Sequence, residues 1–222
     1  MRLIRSGALL CVTLAGCNLD STNPSNITGS GALVTLTDSS SAFTGLSASH
    51  AFQLTVTHSP EYSIAITVDD NIQEYLVARK DAGIFSLGLA SSRSYNRITA
   101  RAVITMPSIQ AVSLSGASGL VGSGFTTAGT LALQVSGASN VALSSGGSER
   151  VAMVVSGASV ADLSEFPVDE ADVNLSGASR STLQVHNRID ATVSGASVLT
   201  CSGSPQWGRR QVSGASQIVE IP

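Results

Sequence analysis

The sequence predicts an all-β fold, a parallel β-solenoid whose coils are roughly 20 residues long. The tetrapeptide Ser-Gly-Ala-Ser occurs six times, and apolar residues alternate with polar ones on both sides of each copy. Charged residues make up only 12% of the chain, whereas glycine contributes 21 residues. This composition favours short strands and turns over amphipathic helices.

The repeat predicts a strand, a bend and a second strand in every coil. Its copies begin at Ser115, Ser136, Ser156, Ser176, Ser194 and Ser213, with spacings of 21, 20, 20, 18 and 19 residues. Each copy follows an apolar residue, namely Leu114, Val135, Val155, Leu175, Val193 and Val212. One such repeat buries too little apolar surface to fold alone, so successive coils are expected to stack.

The motif itself has a structural interpretation. Its glycine is expected at a corner where a side chain would collide with the next coil. Its serines are expected to form ladders of hydroxyl groups that bond to one another along the rod. Six equivalent copies without an accompanying histidine exclude a repeated nucleophilic site.

The region before the first motif alternates in the same way, for example at Phe52, Leu54 and Val56. We therefore interpret residues 33–222 as one domain, with residues 33–107 as opening coils or a strand cap and residues 108–222 as the motif-bearing coils. Cys201 falls in the apolar column of Leu143, Leu163 and Leu183. It is expected to be a small buried side chain without a disulfide partner.

The amino terminus resembles a bacterial lipoprotein signal. Arg2 and Arg5 precede a short apolar run, and the sequence Leu14-Ala15-Gly16-Cys17 follows. The apolar run is too short for a transmembrane helix. The resemblance implies that residues 1–16 are removed and that Cys17 carries fatty acyl chains such as palmitate, which hold the protein on a membrane.

The residues after Cys17 are polar and rich in turn-forming types, so residues 17–32 are interpreted as a tether. Asn18 stands where an aspartate would, in some bacteria, mark retention in the inner membrane. The resemblance to lipoproteins thus implies a lipid-anchored protein of the bacterial cell envelope, delivered to the outer membrane and facing the periplasm or the surface.

Residues 33–222, which make up nearly all of the expected mature chain, resemble the bacterial head GIN domain, a family of auto-transporter adhesin heads without an established chemistry. The resemblance rests on Phe43-Thr44-Gly45-Leu46, on residues 51–57, 62–68 and 103–107, and on the segment 112–118 with its repeats. It implies a right-handed β-helix-like solenoid in an envelope or surface protein. The sequence departs from the repeat at residues 205–210, which we interpret as a turn that interrupts the last coil.

Two interruptions of the repeat are candidate ligand contacts. One is an acidic stretch, interpreted as a solvated loop between coils, that contains Asp162, Glu165, Asp169, Glu170 and Asp172. Asp169 and Glu170 are the candidates there, and calcium is an alternative, although the spacing matches no known calcium loop. The other candidate is Trp207, which either stacks on a sugar or covers the final coil as an apolar lid.

No metal site, cofactor or catalytic residue is predicted. His50, His58 and His186 are far apart in sequence and lack partners at metal-binding spacing. The formal net charge is −3, and no basic stripe indicates nucleic-acid binding.

The sequence therefore favours a non-catalytic, membrane-anchored envelope or surface lipoprotein. It is expected to act as an adhesin, or as a binding or structural module, on a glycan, a cell surface or another envelope component. The alternative is a carbohydrate-active β-helix enzyme, a polysaccharide lyase or hydrolase. Such an enzyme requires two carboxylates beside an arginine in a groove.

Overall fold

Strands dominate the computed structural model, which describes residues 26–221. The helical segment of that range is a 3₁₀ helix at Asp70–Tyr75. Within residues 26–221, no helix has the length and apolarity that crossing a membrane requires. The predicted all-β class is confirmed.

The strands fall into two groups, before and within the motif-bearing region. The first group comprises β1 (Asn26–Thr28), β2 (Leu33–Asp38), β3 (Gly45–Ala48), β4 (Gln53–His58), β5 (Ser63–Asp69), β6 (Leu76–Asp81), β7 (Ile84–Leu89), β8 (Ser94–Asn96) and β9 (Ala100–Met106). The second comprises β10 (Ala111–Leu114), β11 (Gly119–Ser123), β12 (Thr126–Val135), β13 (Asn140–Ser144), β14 (Gly147–Val155), β15 (Val160–Leu175), β16 (Arg180–Val193), β17 (Val198–Ser202), β18 (Gln206–Val212) and β19 (Gln217–Ile221).

Each turn contributes one strand before its Ser-Gly-Ala-Ser corner and one after it. The strands before the corners stack in parallel as the upstream face, through β10, β12, β14, the second halves of β15 and β16, and β18. The strands after the corners stack as the downstream face, through β11, β13, the first halves of β15 and β16, β17 and β19. The chain is thus a β-solenoid with six motif-bearing turns, as the repeat predicts.

The apolar columns of the sequence coincide with the register of the strands. One column pairs Leu133 with Met153 and Met153 with Val173. On the downstream face, Leu183 pairs with both Leu163 and Cys201. All of these side chains are buried and fill the interior of the rod.

The region before the first motif divides between rod and cap. Strands β3 and β4 pair in parallel with β10 and β11, and β7 and β9 add one further layer outside them. Beyond that layer the pairing becomes antiparallel, with β5 on β9, β2 on β5 and β6 on β7. These antiparallel strands cover the amino-terminal end of the parallel stack.

The segment interpreted as a tether is partly docked on the domain. Its first residues, up to residue 25, lie outside the described residues, as do Cys17 and the signal. Asn26–Thr28 form β1, which pairs in parallel with β8.

The serines of the motif bond to the backbone, so the predicted hydroxyl-to-hydroxyl ladder is wrong in this detail. The N–H of Ser118 donates to Ser139 Oγ at 3.2 Å, and the N–H of Ser139 donates to Ser159 Oγ at 3.3 Å. At the other end of the motif, Ser136 Oγ donates to the Leu114 carbonyl at 3.3 Å. These hydroxyls therefore bond to the main chain of the preceding turn, where Ser139 and Ser159 satisfy N–H groups and Ser136 adds a second bond to a carbonyl that already accepts from the Ser136 N–H.

The two predicted interruptions are strands, so neither the acidic loop nor the turn at residues 205–210 exists as expected. The acidic residues lie within β15, a continuous strand of 16 residues, and residues 206–210 lie within β18. A strand tolerates charges wherever alternate positions face solvent. The break in periodicity near Trp207 is a register shift between the Ile189 and Ala191 pairings.

The motif glycines are required by the close approach of successive corners. Gly177 has a φ of +77°, and a Cβ there would lie 2.6 Å from the carbonyl oxygen of Gly157. That oxygen accepts a hydrogen bond from the Ala178 N–H at 2.8 Å. A side chain at Gly177 would therefore clash with the bond that joins two turns.

We predict that Gly177→Ala destabilises the rod more than Gly83→Ala. Gly83 is the matched control, because its φ is +78° and a Cβ there meets nothing within 4 Å. Both variants incur the left-handed penalty of ~1–2 kcal/mol, whereas only Gly177→Ala also disturbs the exposed hydrogen bond between two turns, worth about 0.5–1.5 kcal/mol. Thermal unfolding should show the difference, at roughly 2–4 °C per kcal/mol for a chain of this length. Equal melting temperatures for the two variants would contradict the corner clash.

Candidate functional site

Oppositely charged side chains alternate along one outward position of the upstream face. The register places Arg150 beside Glu170 and Glu170 beside Arg188 in three successive turns. Arg150 Nη2 forms an ion pair with Glu170 Oε2. Of the acidic residues of β15, Glu170 is thus a member of a charge ladder that runs along the rod.

A second row of charges lies next to this ladder. Asp172 and Asp190 are cross-strand neighbours, and Arg209 Nη2 reaches back across two turns to Asp172 Oδ1 at 3.0 Å. Arg188 Nε lies 2.9 Å from Asp190 Oδ2, and the Arg209 N–H also donates to Asp190. Both aspartates are therefore paired with arginines.

These rows enclose a small depression that matches, by residue type, what a carbohydrate-active enzyme requires. Its volume is about 130 Å³, and its lining includes Glu170, Asp172 and Asp190 beside Arg150 and Arg188. The Arg209 N–H and the Arg188 guanidinium lower the pKa of the Asp190 carboxyl. A general acid requires the opposite shift. The geometry therefore favours a structural charge network over acid catalysis.

The candidate contact residues Asp169 and Glu170 are neighbours, but they have different partners. Asp169 Oδ1 lies 3.6 Å from His186 Nδ1 at the exposed edge of the ladder, whereas Glu170 pairs with Arg150. Among the described residues, no group of three or more His, Cys, Asp or Glu side chains is arranged to hold a metal ion.

Trp207 lies at the carboxyl-terminal end of the rod and not beside the acidic residues. It pairs in register with the buried Ile189, and its ring is partly buried against the core. Trp207 Nε1 donates to Glu220 Oε2 at 3.2 Å, and the Arg210 guanidinium lies 4.6 Å from the ring centroid. Arg210 also pairs with Glu220 at 2.8 Å. The three side chains together cover the interior of the last turn.

The remaining sequence candidates have structural partners. Cys201 is only 2% exposed, and burial, with a smaller contribution from Glu220, raises the pKa of its thiol to about 11. The thiol is therefore protonated and inert near neutral pH.

Two of the histidines also have structural partners. His50 Nδ1 lies 2.8 Å from Ser49 Oγ, and the His58 ring meets Phe125 edge to face.

The downstream face carries a different outward row, which is uncharged and β-branched at Val103, Thr55 and Val121 and then continues through Ala142 to Asp162. Thr55 pairs with Val103 on one side and with Val121 on the other. Val103 is 56% exposed and Val121 is 55% exposed. Sequence reasoning missed this row because only the inward columns were traced across the layers.

The family model described as "Putative auto-transporter adhesin, head GIN domain" matches residues 42–205. This range spans most of the chain, from β3 to the last turns of the rod. The chain belongs to the head GIN domain family. The resemblance of the sequence to the head GIN domain is confirmed. No curated protein matches the chain.

Solved structures share the fold of this GIN domain at low sequence identity. A "putative adhesin" from Bacteroides fragilis is 20% identical, with a TM-score of 0.66 over 88% of this chain and 100% of that one. A "putative adhesin" from Parabacteroides distasonis is 14% identical, with a TM-score of 0.58 over 88% and 100%. A "putative lipid binding protein" from the same species is 15% identical, with a TM-score of 0.54 over 89% and 100%.

We predict that the charge network of the GIN domain stabilises it only while Asp190 is ionised. Because the pKa of Asp190 is lowered in the folded state, its contribution is present at neutral pH and is lost as the pH falls through that pKa. Asp190→Asn should lower the melting temperature at pH 7, and the difference from the wild-type protein should shrink as the pH falls below the ordinary aspartate range. Asp81→Asn, at an exposed position of β6, is the control. A pH-independent effect of Asp190→Asn would exclude a charge-based contribution.

Proposed function

We propose that this protein is a lipid-anchored, non-catalytic component of the bacterial envelope whose rod binds a cell-surface, matrix or envelope component. The observation that carries the proposal is the exposed row of Val103, Thr55 and Val121 on the downstream face. Two exposed valines on either side of a threonine give this part of the sheet an uncharged, partly apolar surface that suits contact with a partner. Membership of a family of adhesin heads supports the same role.

The proposed anchor is Cys17. Its sequence context, Leu14-Ala15-Gly16-Cys17, fits a lipoprotein signal, and Asn18 favours delivery to the outer membrane. Two or more acyl chains hold a protein stably on a bilayer, whereas one does so only marginally. Only eight residues separate Cys17 from β1, so the anchor would keep the rod close to the membrane.

A binding role fits the charges better than a catalytic one. The carboxylates of the upstream face that lie near each other are engaged by Arg150, Arg188 and Arg209. A hydrolase or lyase needs carboxylates that face substrate and exchange protons. The depression between them, at about 130 Å³, is also smaller than the ~300–1,000 Å³ that ligand sites usually offer.

We predict that Cys17→Ser moves the protein from the membrane fraction to the soluble fraction. Without the acyl chains nothing in the proposal would retain it on a bilayer. Mass spectrometry of the wild-type protein should find Cys17 as the acylated first residue, and Cys201→Ser should leave fractionation unchanged. An unmodified Cys17, or cleavage elsewhere, would contradict the anchor.

We predict that Val121→Lys reduces attachment of protein-bearing cells to host cells or matrix by about tenfold. The lysine ammonium group would have to lose its water when this surface contacts a partner. Val154→Lys is the matched control, since Val154 is 49% exposed on the upstream face. Thermal unfolding should show that both variants fold. Equal attachment by the two variants would argue against the downstream row as the contact surface.

A further inference from the structure

A cleft opens beside the first Ser-Gly-Ala-Ser corner, at the amino-terminal end of the rod. Its volume is about 480 Å³, within the ~300–1,000 Å³ usual for ligand sites. Its lining comprises His50, Ala51, Arg93, Ser94, Tyr95, Arg97, Ile98 and Gly116. None of these residues belongs to the charge ladder or to the downstream row.

The cleft exists because one corner of the rod is built differently. The layer of β3 and β4 turns through Ser49, His50, Ala51 and Phe52, so that His50 takes the position of the motif glycine Gly116. In the outermost layer the chain passes from β7 to β9 through residues 90–99, ten residues in place of the four of the motif. This longer connection contains β8 and leaves a gap above His50 where the other corners stack directly.

The backbone around the cleft is strained. His50, Ala51 and Arg97 have φ values of 60°, 61° and 49°, and Ala117 beside the cleft has 65°. Left-handed conformations are unfavourable for residues with a Cβ, and they concentrate at ligand sites. Within residues 26–221, seven non-glycine residues have a positive φ, and four of them are at this cleft.

Aromatic rings line the cleft. The Tyr95 hydroxyl donates to the Ala90 carbonyl at 2.8 Å, which fixes its ring. The ring meets His50 edge to face at 6.3 Å and lies 6.1 Å from Tyr75. A fixed, half-exposed ring is a suitable platform for the apolar face of a sugar.

Cations lie at the mouth of the cleft. Arg97 and Arg93 both line it, and the Arg93 guanidinium is 5.9 Å from the Tyr75 ring centroid. Guanidinium groups bind carboxylates and phosphates through paired N–H donors.

We propose that this cleft binds an anionic sugar, with the sugar ring on Tyr95 and its carboxylate or phosphate on Arg97 and Arg93. The inference rests on the proposed binding role and names a ligand class and a site for it. The sugar could be part of a free glycan or the headgroup of a glycolipid. A headgroup in the membrane is within reach of the cleft. Strand β8 lies in the connection that lines the cleft and pairs with β1, and Asn26 of β1 is at most ~30 Å along the chain from the proposed anchor at Cys17.

The test is a binding titration of the full chain by calorimetry and amide NMR. The probes are trigalacturonate and glucose 1-phosphate, with neutral galactotriose and glucose as their counterparts. The anionic probes should bind at least about tenfold more tightly than the neutral ones, with an affinity that falls as salt is added. Arg97→Gln should weaken binding about tenfold, since glutamine keeps a long polar side chain at the strained position but removes the charge.

Arg180→Gln is the matched control, because Arg180 is an exposed arginine of β16 on the downstream face. Tyr95→Leu should weaken binding of every sugar. If vesicles that contain a glucuronosyl glycolipid bind more tightly than the free sugars do, the ligand is a glycolipid headgroup and not a free glycan. Equal binding to phosphatidylglycerol vesicles, which carry charge without a sugar ring, would overturn the sugar assignment.

Two outcomes separate this inference from the proposed function. If no anionic probe binds, or if Arg97→Gln and Arg180→Gln behave alike, the cleft assignment is overturned. If cell attachment nevertheless falls in Val121→Lys, the binding role of the rod stands without the cleft. If the probes bind as expected while Val121→Lys attaches normally, the cleft stands and the downstream row is not the contact surface.

Discussion

The carbonyl oxygens of the motif glycines Gly137, Gly157, Gly177 and Gly195 each accept a hydrogen bond from the alanine N–H of the next corner, at 2.8 Å for Gly137 and Ala158. This contact fixes how closely successive turns approach, and it leaves no space for a Cβ. With the corners aligned, the strand residues next to them lie over their equivalents in the neighbouring turn, and the register shifts fall farther along the strands. The buried columns and the charge ladder of Arg150, Glu170 and Arg188 are two results of the same alignment.

Much of the rod could be predicted because inward and outward positions repeat with the motif. The pairing of Leu183 with Cys201 follows from counting residues on either side of the corner. The acidic residues of β15 were misassigned because charge was interpreted as a sign of a loop. The spacing of 20 residues between Arg150 and Glu170, and of 18 between Glu170 and Arg188, was the signal that they share one outward position.

The cleft could not be predicted from local pattern. It brings Gly116 of the first motif together with His50 and Tyr95, which lie tens of residues away in segments without the motif. The one usable signal was Ser49-His50-Ala51-Phe52, which occupies the corner position but retains only the first serine and the alanine of the repeat. Trp207 illustrates the opposite case, because a lone aromatic residue near the last repeat already suggested a lid.

The position of the β3–β4 layer has a consequence for how the protein folds. It is enclosed between β7–β9 and β10–β11, so it cannot be completed until residues up to 123 are available. Gly45 pairs with Ala111, 66 residues away, whereas later turns pair residues about 20 apart. Folding must therefore overcome its largest chain-closure entropy at the amino-terminal end. Each motif-bearing turn instead closes a loop of only about 20 residues, so the smaller entropy costs of folding lie toward the carboxyl-terminal end.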